Sequence, residues 1–229
     1  MGHIRRGCKA VAKSKIIKDL AKGSIGVETA LKELKLLLLS FPNEKLTNWV
    51  NKELQGYGPD DDLPSYRTKA ASLKGSFVFY NTSITNAGIP IKKDAPEIVK
   101  NSLNSVDIRD SIRSLSRLEN KDISFPIPPD LYPHIMKYSM VEMTGVLNAK
   151  LDVSATTVSE ILSAVENRVL DAMLVLEEEF GCLDDLDIDL SNSTQDAIDD
   201  TEKRLLVIIY NDNSITIGDK NRISDTTIF

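Results

Sequence analysis

The chain is poor in the residues that most often carry out chemistry or cross-link a fold. Its 229 residues include two cysteines, two histidines and one tryptophan, and aromatic residues make up only 6%. Cys8 and Cys182 are too few and too far apart in sequence to build a disulfide framework or a metal knuckle. With only His3 and His134 to add, a zinc site would have to draw its ligands from distant segments. No metal and no cofactor is therefore expected, and the thiols should be reduced. Long apolar runs are also missing. The densest, Leu36 to Leu39 followed by Ser40-Phe41, is far short of the roughly 20 residues needed to cross a bilayer. The opening Met1-Gly2-His3-Ile4-Arg5-Arg6 has basic residues with no apolar stretch behind them, unlike a secretory signal, and Arg6 stands where an acylation motif has Ser or Thr. No membrane association is expected, and the expected compartment is the cytoplasm.

One further absence is local. Glu177 to Glu202 is rich in acids and contains no Lys or Arg, whereas Arg5, Arg6, Lys9, Lys13, Lys15, Lys18 and Lys22 face a single acid, Asp19. The net charge of −6 thus conceals a basic start and an acidic later segment. A basic arm suits an anionic partner. No aromatics or Gly-rich loops interleave with the lysines, as single-strand binding would favour, so a nucleic-acid partner rests on the charge alone.

Familiar catalytic signatures are missing too. There is no G-x-S-x-G elbow, no P-loop and no H-E-x-x-H. Neither histidine follows an arginine at the spacing a HEPN-type ribonuclease uses, and no Glu-x-Lys pairing follows Asp60 or Asp130 at the short spacing of restriction-type nucleases. The turn Asp60-Asp61-Asp62 has clustered carboxylates but lacks the spaced ligands and pivot glycine of a calcium loop, so it reads as a solvated turn.

What is present is a clear division into periods. Ile16, Ile17 and Leu20, then Val27, Ala30, Leu31, Leu34, Leu37 and Leu38, recur at helical spacing, and Gly23-Ser24-Ile25-Gly26 breaks the run into a helical pair, with Ser24 a candidate cap. A third helix is expected from Asn43 through Leu46, Val50 and Leu54 to a C-cap at Gly56. Past Pro64 the period changes. Tyr66 to Ala70 and Leu73 to Tyr80 read as strands, and Asn86-Ala87-Gly88 as a turn. One helix is expected from about Ala95 to Glu119, an extended stretch at Phe125-Pro126-Ile127-Pro128-Pro129, and a strand from Tyr138 to Lys150. The strongest helix runs from about Val158 to Phe180, closed by Gly181.

The fold class expected is α+β: N-terminal helices packed with a small antiparallel sheet and two long helices, plus a C-terminal β tail. The organisation expected is a domain over 1–180, an acidic linker over 181–202 and a β-rich oligomerisation tail over 203–229. The tail begins with the β-branched run Leu205 to Tyr210, then alternates through Ile215, Ile217, Ile223 and Ile228 around Gly218-Asp219-Lys220-Asn221. Segments this short do not bury an apolar face alone. They either pair with copies in other subunits, giving a homo-oligomer, or fold back on the core as a hairpin that covers its own edge.

The most specific stretch is Trp49-Val50-Asn51-Lys52-Glu53-Leu54-Gln55-Gly56-Tyr57, followed by Leu63-Pro64-Ser65-Tyr66-Arg67. Trp49 and Glu53 stand one helical turn apart, and Tyr57, Tyr66 and Arg67 follow closely. These five are the candidate ligand- or partner-binding residues. A carboxylate, a guanidinium and aromatic walls suit a nucleotide or a peptide terminus. The same residues equally suit a structural corner in which an ion pair specifies the fold without chemistry.

The pattern W-x-x-x-E-L-x-G-Y, a short acidic turn, then L-P-x-Y-R resembles the signature of the AbiTii family, found in bacterial abortive-infection (anti-phage) systems. The likeness extends over roughly Ile16 to Phe180 and includes Ile161-Leu162-Ser163-Ala164-Val165-Glu166-Asn167-Arg168-Val169-Leu170 and a tail of "IGDxN" type. It implies a part in defence against phage, by killing or arresting the infected cell, and brings no catalytic residues with it. Two readings follow. In one the chain is an oligomeric sensing or scaffolding module, with a phage-derived trigger or an effector protein as partner. In the other it is a toxin-like enzyme acting on nucleic acid or nucleotide, with Glu53, Tyr66 and Arg67 in the site.

Overall fold

The computed structural model describes residues 13–119 and 121–210. Helices dominate, with small antiparallel sheets between them, and the fold class is α+β. The described residues divide into two compact units: residues 13–54 with 165–210, and residues 55–164. Among the described residues no helix is long and apolar enough to cross a membrane.

The first unit is helical. Helices α1 (Lys15–Ala21), α2 (Val27–Leu38) and α3 (Glu44–Gln55, whose last residue belongs to the second unit) follow the apolar period closely, and Ile16, Ile17, Leu20, Leu31, Leu34, Leu37, Leu38, Leu46, Trp49 and Val50 are all buried. The expected cap at Ser24 is corrected. Gly26 is the N-cap of α2 and offers no side chain. The start of α3 is set by Asn43, whose Oδ1 accepts the Lys45 amide at 3.1 Å.

Two more helices complete this unit. The long α7 (Ala155–Phe180) contributes its later part, and α8 (Gln195–Tyr210) follows. Gly181, at φ +89°, ends α7 as the sequence indicates. Helix α8 corrects two expectations at once. Residues 195–202 are not linker, and Leu205 to Tyr210 is not a strand. The buried positions Ile198, Thr201, Leu205 and Ile209 recur every three or four residues, so the β-branched run is the second half of an amphipathic period that begins among the acids. Burial of that face outweighs the modest β preference of Val207, Ile208 and Ile209. The rest of the tail, with Ile215, Ile217, Ile223 and Ile228, lies outside the described residues.

A buried carboxylate ties the start of the described chain to the end of α7. Glu177 Oε1 accepts both the amide (2.5 Å) and the hydroxyl (2.6 Å) of Ser14, and its Oε2 meets Lys13 Nζ at 2.7 Å. The Ser14 hydroxyl in turn accepts the amide of Leu183 at 2.9 Å, and Asp184 Oδ1 accepts the amide of Lys15 at 2.6 Å. Burial pushes the Glu177 carboxyl up, but the bonds from Lys13 and Ser14 together outweigh it and hold its pKa below the ordinary carboxylate value.

The second unit is built on a sheet. Strands β1 (Thr68–Ala70) and β4 (Ser105–Asp107) form a two-stranded ribbon. Strands β2 (Ser72–Phe79), β3 (Thr82–Gly88), β5 (Ile123–Pro126) and β6 (Gly145–Val153) form an antiparallel sheet in the order β3-β2-β6-β5. Alternation along β2 and β6 sends Leu73, Phe77, Ala149 and Leu151 into a core with Ile89, Leu103, Ile127 and Ile135. The opposite face carries Lys74, Lys150 and Asp152, with Asp152 meeting both lysines at 3.1 Å and accepting the Ser124 hydroxyl at 2.6 Å. Gly75 is required on the inner face, because a Cβ there would stand 2.5 Å from the carbonyl oxygen of Asn148.

Three expectations are revised in this unit. The single helix from Ala95 to Glu119 is two, α4 (Glu97–Asn104) and α5 (Ile112–Leu118), separated by β4. Ser105, Val106 and Asp107 are weak helix formers, and pairing of Val106 with Lys69 wins them for the ribbon. The turn expected at Asn86-Ala87-Gly88 lies inside β3. The β2–β3 hairpin instead turns at Tyr80-Asn81, while Asn86 takes its left-handed φ of 49° and donates its amide to the Ser76 hydroxyl, where the register shifts. The strand expected from Tyr138 is shorter, starting at Gly145, because Tyr132–Tyr138 forms helix α6.

Candidate functional site

Trp49 and Glu53 lie on the buried face of α3, at 1% and 0% exposure. The other three candidate residues belong to the second unit. Gly56 ends α3 with φ +96°, and a Cβ on it would crowd the Arg109 carbonyl oxygen at 3.0 Å. This left-handed exit lets the next amide, that of Tyr57, donate to the same carbonyl at 2.8 Å. The chain then loops through the acidic turn to Pro64, and a single 3-10 turn, Ser65–Arg67, delivers Tyr66 and Arg67 just before β1.

Arg67 is fully buried. Its Nη1 donates to the carbonyl oxygens of Ile108 (3.1 Å) and Asp110 (2.5 Å), and its guanidinium lies over the Tyr57 ring, 5.1 Å from the centroid. The amide of Ile108 returns a bond to the Arg67 carbonyl at 3.0 Å, so side chain and main chain of one residue hold the segment after β4. The structure therefore brings Tyr57 and Arg67 together. Tyr66 is half-buried on a second apolar cluster of Ile108, Leu115, Val158 and Ile161.

Arg109 is the residue that sequence reasoning missed. Its Nη1 donates to the carbonyl oxygens of Gly58 and Asp61, the latter at 3.1 Å, and its Nη2 reaches Asp107 Oδ2 at 3.4 Å. The Asp61 carboxylate meanwhile accepts the Gly58 amide at 2.8 Å. The acidic turn is thus a closed loop clasped by a guanidinium. Among the described residues no group of three or more His, Cys, Asp or Glu is placed to hold a metal ion. The signal that could have found Arg109 is the alternation of Val106 and Ile108, which has the period of a strand and breaks the helical one.

Beside this clasp is an open, polar hollow of about 590 Å³, lined by Gln55, Gly56, Tyr57, Gly58, Arg109, Asp110, Ser111 and Ser114. The Ser111 hydroxyl caps α5 by accepting the amide of Ser114 at 3.3 Å. The hollow presents main-chain groups, amides and hydroxyls, a set suited to recognition by hydrogen bonding. His134, exposed on α6, lines a smaller and more apolar hollow of about 220 Å³ with Ile98, Val99, Ser102, Leu103 and Leu131. Cys182 is an exposed free thiol, 3.8 Å from the Ser14 hydroxyl in the first unit.

Compared with known protein families, the chain matches the model of AbiTii over residues 14–202. No curated protein and no solved structure matches the chain.

Proposed function

The chain belongs to the AbiTii family, which points to abortive-infection defence against phage, and on that footing we propose that it acts there as an oligomeric sensing or scaffolding module. The observation that carries this reading is how the signature residues are used. The guanidinium of Arg67 is spent on the carbonyls of Ile108 and Asp110 and on the face of Tyr57, and outside the signature that of Arg109 holds the acidic turn. The motif builds backbone geometry around a polar hollow, which is what a binding surface needs. The partners proposed are further copies of the chain, joined through the residues after α8, and a phage-derived trigger or an effector protein. The compartment proposed is the cytoplasm.

The test is expression of the chain alone in uninfected cells, together with light scattering on the purified protein. A module is harmless without its trigger and assembles through its tail. Truncation must fall after Tyr210, because a cut after Glu202 would remove the buried Leu205 and Ile209. An unchanged mass on truncation, or toxicity abolished by Glu53→Gln at equal protein level, would overturn the reading in favour of a toxin-like enzyme.

A further inference from the structure

The four-stranded sheet has two edges, and they are not alike. The β5 edge is closed off by proline: Pro126 ends the strand, and Pro128 and Pro129 follow. The β3 edge has no such protection. Its sequence, Thr82-Ser83-Ile84-Thr85-Asn86-Ala87-Gly88, holds no charge and no proline, and among the described residues no strand pairs with its outer side. Thr82, Ser83, Thr85, Asn86 and Gly88 are exposed, and a Cβ built on Gly88 would meet nothing within 4 Å. The one blunting feature of this edge is the register shift at Asn86, which leaves Thr82 to Thr85 as the stretch open to pairing.

The same sequence contains a segment with matching properties. Residues 211–229 follow α8, and Ser214-Ile215-Thr216-Ile217 is uncharged and alternates hydroxyl with β-branched apolar residues, the pattern of a half-buried strand. We propose that this tail segment of one copy adds as a fifth strand to the β3 edge of a second copy. Main-chain hydrogen bonds would supply the affinity. The inference rests on the proposed tail-driven assembly and names the surface that receives the tail.

The contact can be broken at a chosen atom. The hairpin is closed by the two-residue turn Tyr80-Asn81, so the flanking pair Phe79–Thr82 exchanges main-chain hydrogen bonds and the alternation leaves the amide of Ser83 facing outward. Ser83→Pro deletes that donor while leaving the β2 ladder intact. A second variant, Thr85→Lys, puts a charge on the edge without touching the backbone. The assay is fluorescence anisotropy of a labelled peptide of residues 211–220 titrated with the chain truncated after Tyr210, run beside light scattering of the full-length variants.

The peptide should bind the truncated parent saturably, and binding should weaken roughly three- to tenfold or more in Ser83→Pro, the cost of at least one main-chain bond, and weaken also in Thr85→Lys, where the charge opposes strand addition. Full-length Ser83→Pro and Thr85→Lys should fall to the mass of the truncated form with unchanged far-ultraviolet dichroism. If truncation lowers the mass but Thr85→Lys does not, assembly through the tail stands and the β3 edge is not its acceptor. Binding of the peptide to the truncated chain beside a full-length protein of monomer mass would mean that the tail occupies the edge of its own chain, and would also overturn the proposal.

Discussion

Replacing Arg67 by Met is the most informative single change in the second unit. The side chain is fully buried, and its removal strips a charged donor from two carbonyls and a cation from an aromatic face. Leaving the buried Ile108 carbonyl without its partner costs about 1–3 kcal/mol, and the lost guanidinium–Tyr57 contact about 0.5–2 kcal/mol. Burial of the methionine chain and relief of the charge's desolvation offset part of this. A net loss of about 2–4 kcal/mol follows, and at roughly 2–4 °C per kcal/mol for a chain of this size the melting temperature should fall by about 4–16 °C. Arg67→Lys should lie between, because an ammonium keeps the charge but not the planar fork that serves two carbonyls while stacking on a ring. The assay is thermal and urea unfolding, paired with a phage-protection measurement on cells holding equal amounts of protein. Melting within about 1 °C of the parent would refute the energetic argument. Unchanged melting with lost protection would assign Arg67 to a ligand and remove it from the scaffold.

Two further outcomes are expected. Gly75→Ala should destabilise the sheet by about 1–3 kcal/mol, read as a lower urea midpoint, since its Cβ meets the main-chain oxygen of Asn148 at 2.5 Å and backbone has little freedom to yield. Glu177→Gln should cost about 1–3 kcal/mol at neutral pH. Because the folded pKa of Glu177 lies below its ordinary value of 4.5, its contribution is present above that value and fades as pH falls through the folded one. Unfolding curves should therefore show a shallower loss of stability below about pH 5 in the variant than in the parent, and parallel pH profiles would exclude the clasp as a source of acid sensitivity.

Where a period ran unbroken, the sequence was a good guide. The buried stripes of α2 and α7 and the glycine exits at Gly56 and Gly181 follow from local pattern and backbone sterics alone. It failed where tertiary pairing decided the outcome. β4 is three residues taken from a helical stretch by β1, and α8 looks like a strand unless its period is traced back into the acids, where Ile198 and Thr201 mark the buried face. Asn86 shows a subtler failure. The residue type did announce a left-handed backbone, but the conformation serves a register shift within β3, and the turn is made by Tyr80, a residue type that gives no warning of φ 51°. At the candidate site the sequence singled out Trp49, Glu53, Tyr57 and Arg67 without revealing that all four are buried. Arg109 belongs to no motif, and the carbonyls it clasps, those of Gly58 and Asp61, are gathered only once the loop after Gly56 has folded.

The order of the two units along the chain has a consequence for synthesis. The sheet-bearing unit, residues 55–164, is inserted within the helical one, which is assembled from residues 13–54 and 165–210. On the ribosome the inserted unit is complete first. The leucine faces of α2 and α3 must wait, unsatisfied, through the emergence of more than a hundred residues before the later part of α7 arrives to help enclose them. A nascent chain stalled before Val165 would therefore present Leu31, Leu34, Leu37, Leu38 and Leu46 to the surroundings, making this window the one in which the protein most depends on holdase chaperones.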